Sequence, residues 1–393
     1  MSEARYAWVV VWATFFALAI IFGVSYSFAA FFASFAGEFD AQRADVSLVF
    51  GLSGGVYFVF GAGAGMLADR FGPRAVTSAG MLLIAAGLLL CSLAQSMATV
   101  YAAYGVGVGL GIALVYTPAI ACVQPWFTQR RGLAAGLASA GIGAGTVAVP
   151  LIAAAAIGWL QWRDAMRLLA LGVLVLGMCA TGLLRRAPVA TAAAGGRIPG
   201  LSLLEALRDR RFWWLYLSIV LAAPSMFVPF AHVSAAARDL GIDSARAVGL
   251  VGLIGIGSLV GRFAIGALAD RLGRLLALLL MQVSLGLAFL AWHAAGGYAV
   301  LAFFALWFGL SYGGIVSLLP AISMDLFGPR AVAGIIGTLY TGAALGNLLG
   351  PVLAGAVFDR AGSYVPVLWG CMGLSALAAM ASARLLAWKR PGY

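Results

Sequence analysis

Apolar residues run along this chain in twelve long stretches separated by short polar or charged breaks. A run of about 20 apolar residues is what a helix needs to cross the hydrocarbon core of a bilayer. The stretches cover 6–36, 46–68, 74–95, 98–124, 132–158, 164–184, 212–237, 245–269, 275–293, 298–324, 331–357 and 364–386. Most breaks are short, so neighbouring spans are expected to run antiparallel. The longest break, 186–210, is basic and marked by Gly and Pro. It reads as a linker between 1–185 and 211–393, with 201–207 as a short surface helix. Ala30, Ala33 and Ala36 near the end of the first stretch mimic a signal-peptide cleavage site. That stretch is too long for a signal-peptide core, and it is needed to complete six spans before the linker.

A charged loop appears twice. Gly65-Met-Leu-Ala-Asp69-Arg70-Phe-Gly72-Pro-Arg74 returns 201 residues later as Gly266-Ala-Leu-Ala-Asp270-Arg271-Leu-Gly273-Arg274, each copy after the second span of a set of six. Pro150 and Pro351 also hold matching places in the two sets. The expected fold is an all-α membrane protein: twelve transmembrane helices in two six-helix bundles related by a pseudo-two-fold axis along the membrane normal. This resembles the parallel repeat of major facilitator transporters.

Composition agrees: 63% of the residues are hydrophobic and 9% are charged, against about 25% charged in soluble domains. The net charge of +11 would suit nucleic acid or another polyanion, but its distribution argues otherwise. With the N-terminus inside, 17 of the 24 basic residues fall on the cytoplasmic side, and six fall outside: Arg43, Arg163, Arg167, Arg238, Arg246 and Arg360. That bias places both termini in the cytoplasm, for a monomer in the inner membrane with no nucleic-acid partner. Cys91, Cys122, Cys179 and Cys371 lie in spans at unrelated spacings and read as packing residues. No metal or cofactor is expected. Gly107-Val-Gly109-Leu-Gly111 imitates a nucleotide loop but has no preceding strand, so close helix packing explains it better.

Every one of the 13 acids lies at or beyond a span end. That counts against a cation carrier and against the usual intramembrane acid of a proton pump. Asp69 and Asp270, with Arg70 and Arg271, end their spans on the cytoplasmic side. They read either as a gate pairing with arginine across the two halves, joined by Arg130 and Arg131, or as solvated loop charges. One charge lies inside. Arg262 is eight residues before Asp270, roughly 12 Å from the cytoplasmic edge at ~1.5 Å per residue. An arginine at a helix centre costs at least ~2.5 kcal/mol. Its i−4 neighbour is Ser258 and its i+4 neighbour Gly266, so no acid compensates it locally. It reads as a bidentate ligand for a carboxylate, or as a side chain snorkelling to the interface. His232 faces either the cavity or the outer interface. Tyr26, Tyr57, Tyr116, Tyr312 and Tyr340, with Gln282 and Asn347, are the other polar candidates within spans. Each reads as packing or as substrate contact.

Several segments resemble monocarboxylate transporters. Trp126-Phe127-Thr-Gln-Arg130-Arg131-Gly-Leu-Ala134-Ala-Gly136-Leu-Ala138-Ser-Ala140-Gly141 is similar to their loop and fifth helix. Asp325-Leu-Phe-Gly328-Pro329, with Gly350-Pro351 beyond it, is similar to their tenth and eleventh helices. Arg262 followed by Gly266 resembles the helix 8 arginine that binds the substrate anion, and Ser25-Tyr26-Ser-Phe28 the helix 1 segment. The oxalate/formate exchangers are a related bacterial branch. Glu3-Ala-Arg-Tyr6-Ala-Trp8 keeps only part of the family's N-terminal signature. Ala30 stands where animal members carry lysine. Ser258 stands where they carry an aspartate associated with proton coupling.

The resemblance implies a transporter of small monocarboxylates such as lactate or pyruvate, coupled to a proton. Arg262 would neutralise the carboxylate, and Tyr116, Tyr312, Tyr26, His232, Ser258 and Tyr340 would contact it. The alternative is an electroneutral exchanger, for which Arg262 suffices. A transporter-like sensor would call for a long signalling domain, and five residues follow Trp388. An enzyme would need paired acids or a His/acid cluster in the spans, and none is present.

Overall fold

The structure, a computed structural model, describes residues 3–127, 131–187, 200–328 and 330–387. Twelve helices are long and apolar enough to cross a membrane: span 1 Arg5–Glu38, span 2 Arg43–Ala68, span 3 Pro73–Ser92, span 4 Met97–Val123, span 5 Gly136–Trp159, span 6 Trp162–Gly182, span 7 Arg210–Asp239, span 8 Ser244–Ala269, span 9 Arg274–His293, span 10 Tyr298–Phe327, span 11 Gly334–Ala361 and span 12 Val365–Ala387. No strand occurs among the described residues. Large apolar side chains such as Phe16, Leu90, Leu176, Phe303, Leu353 and Met380 stand exposed around the outside. Such a surface is stable only against lipid, and the chain is a multi-pass membrane protein.

Spans 10 and 11 run three and four residues past their apolar patterns. Their ends are set by glycine rather than by hydropathy. Gly328 (φ 77°) and Gly362 (φ 65°) turn left-handed and return their N–H groups to Met324 and Phe358, a backbone region that side-chain-bearing residues avoid. A short helix, Leu203–Arg208, lies in the expected linker and opens on a Ser202–Glu205 capping box. Residues 188–199 of that linker lie outside the described residues.

The two halves repeat one packing scheme. Span 1 packs on span 5 as span 7 packs on span 11; spans 2 and 4 pair as 8 and 10 do, and spans 3 and 6 as 9 and 12 do. The halves meet along spans 2 and 11 and along spans 5 and 8. Consecutive spans alternate direction, so the start of span 1 and the end of span 12 lie on one face of the bundle, opposite its far face.

Candidate functional site

The duplicated loop has one backbone shape in both copies. Gly72 (φ 92°) and Gly273 (φ 90°) each close the preceding helix, donating to Ala68 O and Ala269 O, both at 2.9 Å. Their positive φ is why glycine follows Asp-Arg in each copy. Arg70 and Arg271 are exposed. The side chains of Asp69, Asp270 and Arg131, and all of Arg130, lie outside the described residues. On this face the ion pair Arg274–Asp325 (2.6 Å) stays within the C-terminal half, and Arg330–Glu205 (3.3 Å) ties that half to the short linker helix.

Between the halves lies a cavity of about 70 Å³, several times the ~10–15 Å³ that holds one water. Phe22, Tyr57, Phe58, Tyr116 and Ile142 wall it from the N-terminal half. The C-terminal half supplies Ile219, Met226, Phe227, Arg262, Leu278, Gln282, Tyr312, Ile315, Leu319 and Tyr340, among others. Arg262 is the one charged side chain among the described residues of that wall. Its Nε is buried with no hydrogen-bond partner. The guanidinium interacts electrostatically with Tyr116, Tyr312 and Tyr340 on the same wall, and with Tyr26 behind it. A cationic fork, hydroxyls around it and no carboxylate among the described lining residues form an arrangement whose chemistry suits one anionic group.

The sequence candidates separate here. Arg262, Tyr116, Tyr312 and Tyr340 converge on the cavity, joined by Tyr57 and Gln282. Tyr26 sits behind the wall, stacked on Phe230 (centroids 4.2 Å apart), its hydroxyl 3.1 Å from that of Tyr312; it reaches the cavity only through that tyrosine. Ser258 is not on the wall either: its backbone packs against Gly313 of span 10, and its hydroxyl is buried without a partner. Gln282 is anchored from behind, donating to Ser218 (2.6 Å) and accepting from Ser382 (2.8 Å). Asn347 is buried against Gly54 of span 2, with neither amide atom hydrogen-bonded.

His232 is also away from the cavity wall. It is fully buried nearer the far face, between the halves. Its Nε2 lies 2.8 Å from Pro351 O and 3.1 Å from Ser47 Oγ, and its Nδ1 3.0 Å from Tyr364 Oη. It belongs to a closure that sequence reading missed. Arg43, at the start of span 2, pairs with Asp239 at the end of span 7 (2.6 Å) and donates to Tyr364 (2.7 Å). Asp359 of span 11 accepts from the backbone N–H groups of Arg43 and Ala44 (3.1 and 3.0 Å), capping span 2 from the other half. The signal available in sequence was weak: opposite charges at span ends on one face, here Arg43 against Asp239 and Asp359.

The chain matches the family profile described as Major Facilitator Superfamily over residues 14–333 and again over 225–392. It is 33% identical over 368 residues to monocarboxylate transporter 13 of Bos taurus, covering 92% of this chain and 85% of that one. It is 32% identical over 380 residues to monocarboxylate transporter 3 of Rattus norvegicus, covering 92% and 76%. Among solved structures, a bacterial homolog of the human lysosomal transporter Spinster, inward-facing and unoccupied, superposes with a TM-score of 0.71 at 17% identity, over 97% of this chain and 96% of that one. This last likeness concerns the fold alone.

Proposed function

The chain belongs to the major facilitator superfamily and, within it, to the monocarboxylate transporters, and from that premise we propose that it carries a small monocarboxylate of the lactate or pyruvate class across the inner membrane, together with a proton, by alternating access. The observation that carries the reading is Arg262: a guanidinium on the cavity wall with its Nε unsatisfied. An anion there removes the charge penalty and completes a two-pronged contact. One cation in the wall suits one carboxylate, which favours monocarboxylates over dicarboxylates. Tyr57, Tyr116 and Tyr340 are placed to hydrogen-bond the rest of the ligand.

In the mechanism, substrate enters from one side and its carboxylate pairs with Arg262. The neutralised site can then pass through an occluded state, which an unpaired buried charge would resist. The halves rock along spans 2 and 11 and spans 5 and 8, and the opposite face opens. With both termini cytoplasmic, the far face is the outside, and the Arg43–Asp239–Asp359 closure is the outer gate. Asp69 and Asp270 belong to the cytoplasmic gate. Asp69→Asn and Asp270→Asn are expected to raise the inward-open population without altering substrate selectivity. Site-directed thiol labelling from each side measures this, and unchanged labelling would reduce these loops to topology signals.

The second reading, an electroneutral anion exchanger, is favoured by one observation: among the described residues that line the cavity there is no carboxylate to take a proton. Proteoliposomes separate the two. Symport requires labelled lactate to accumulate under an inward proton gradient. Counterflow alone, indifferent to that gradient, establishes exchange, and absence of both rejects the substrate class.

A further inference from the structure

The hydrogen bonds around His232 fix which protonation state the closed far face accepts. Pro351 O can only accept, so Nε2 at 2.8 Å carries a hydrogen. Ser47 directs its own hydrogen to Arg43 O (2.6 Å), so toward Nε2 at 3.1 Å it too can only accept. Tyr364 Oη accepts from Arg43 Nη1 at 2.7 Å, which leaves its hydrogen for His232 Nδ1 at 3.0 Å. Every donor then has an acceptor, and the ring is neutral.

A second ring proton would go on Nδ1. It would point at a hydroxyl that already accepts from Arg43, and the hydroxyl hydrogen would have to turn away from the ring. It would also add a cation to a crowded set. Arg43 faces the site from span 2, Arg238 and Asp239 from span 7, Asp359 from span 11, and Tyr364 from just before span 12. Span 1 contributes Phe32, an aromatic contact. One Nη of Arg238 is already buried without a partner. The two carboxylates are engaged, Asp239 by Arg43 and Asp359 by the start of span 2.

We infer that His232 is a proton-binding site of the outer gate: the gate closes only over the neutral imidazole, and a proton taken up from outside holds the carrier outward-open. Its direction rests on the orientation proposed above, with the far face outside. The site senses external acidity; it does not carry the substrate's proton, because the ring must be neutral before the gate shuts. The closure ties Ser47 and Arg43 of one half to His232, Pro351 and Tyr364 of the other, so breaking it at one ring frees both.

The test uses spin labels at Gln95→Cys and Ala294→Cys, two exposed far-face loop positions in opposite halves, with the four native cysteines replaced. Inter-label distances are measured by pulsed electron resonance in lipid nanodiscs at about pH 5.5 and about pH 7.5, which straddle the ordinary imidazole range. The long-distance fraction is expected to rise several-fold at the acid pH. His232→Gln, which can still donate to Pro351 but cannot titrate, should lose that rise. Asp239→Asn and Asp359→Asn should widen the gate at both pH values and keep it. If His232→Gln does not fold, Tyr364→Phe serves: it removes the donor to Nδ1 and should raise the outward fraction already at the neutral pH. No acid shift in the wild type, a shift that survives His232→Gln, or an unmoved Tyr364→Phe overturns the inference. Labelled lactate counterflow with the same preparation keeps the two readings apart. A pH-driven distance change without counterflow rejects the substrate, and counterflow without the distance change rejects the gate.

Discussion

Arg262→Lys should lose most transport although it keeps the positive charge. The guanidinium offers two parallel N–H groups to a carboxylate; an ammonium offers a point charge on a flexible stem. A charge-assisted hydrogen bond contributes about 1.5–3 kcal/mol, so losing one prong lowers substrate affinity by about ten- to a hundredfold. Arg262→Ala should lose at least as much. The position on the cavity wall, with Nε unsatisfied, means that neither change breaks an ion pair seen in the fold, so the protein should be produced at normal levels. Initial uptake rates and substrate-induced thermal shifts, normalised to folded protein, measure the effect. Near-normal uptake by both variants would remove Arg262 from the substrate site.

The second large effect separates packing within a half from packing between halves. A β-carbon on Gly145 would fall on the Ala19 carbonyl oxygen of span 1. Backbone cannot swing aside, and small residues are what let membrane helices approach this closely. Gly145→Val should therefore force spans 1 and 5 apart, at a cost of about 1–3 kcal/mol or more, and the protein should fail to accumulate or melt far earlier. A β-carbon on Gly355 would meet backbone as well, Ala44 N at 2.6 Å, but Ala44 belongs to the other half. There the halves can part without unfolding either. Gly355→Leu should thus stay folded and hold the far face open, with the Asp359 cap on span 2 lost. Thermal stability and far-face distances read the two outcomes, and equal destabilisation by both changes would refute the distinction.

Much of this molecule was legible in its sequence, because lipid is a solvent whose demands are local. A helix must be apolar for about 20 residues wherever it sits in the bundle, so the twelve spans follow from hydropathy alone. The loop at Gly72 and Gly273 needs a left-handed glycine in each copy, so the duplication is visible as a repeated motif. The isolation of Arg262 is likewise a local fact, since no acid stands at i−4 or i+4.

What hydropathy cannot say is which face of a span meets which neighbour, and only the tertiary structure decided that. His232, Tyr26, Ser258, Tyr312 and Tyr340 look alike in sequence, each a polar group in an apolar run. Packing sends the two last to the cavity, Tyr26 behind Tyr312, Ser258 against Gly313, and His232 to the seam near the far face. Arg43, Asp239 and Asp359 read in sequence as charges at span ends. They become one closure because spans 2, 7 and 11 meet, although Arg43 stands 196 residues from Asp239 and 316 from Asp359 along the chain. Such long-range pairs arise from glycine-scale shape matching between helices, as where the Asn347 side chain fills the space beside Gly54, and no periodicity within either helix encodes the partner.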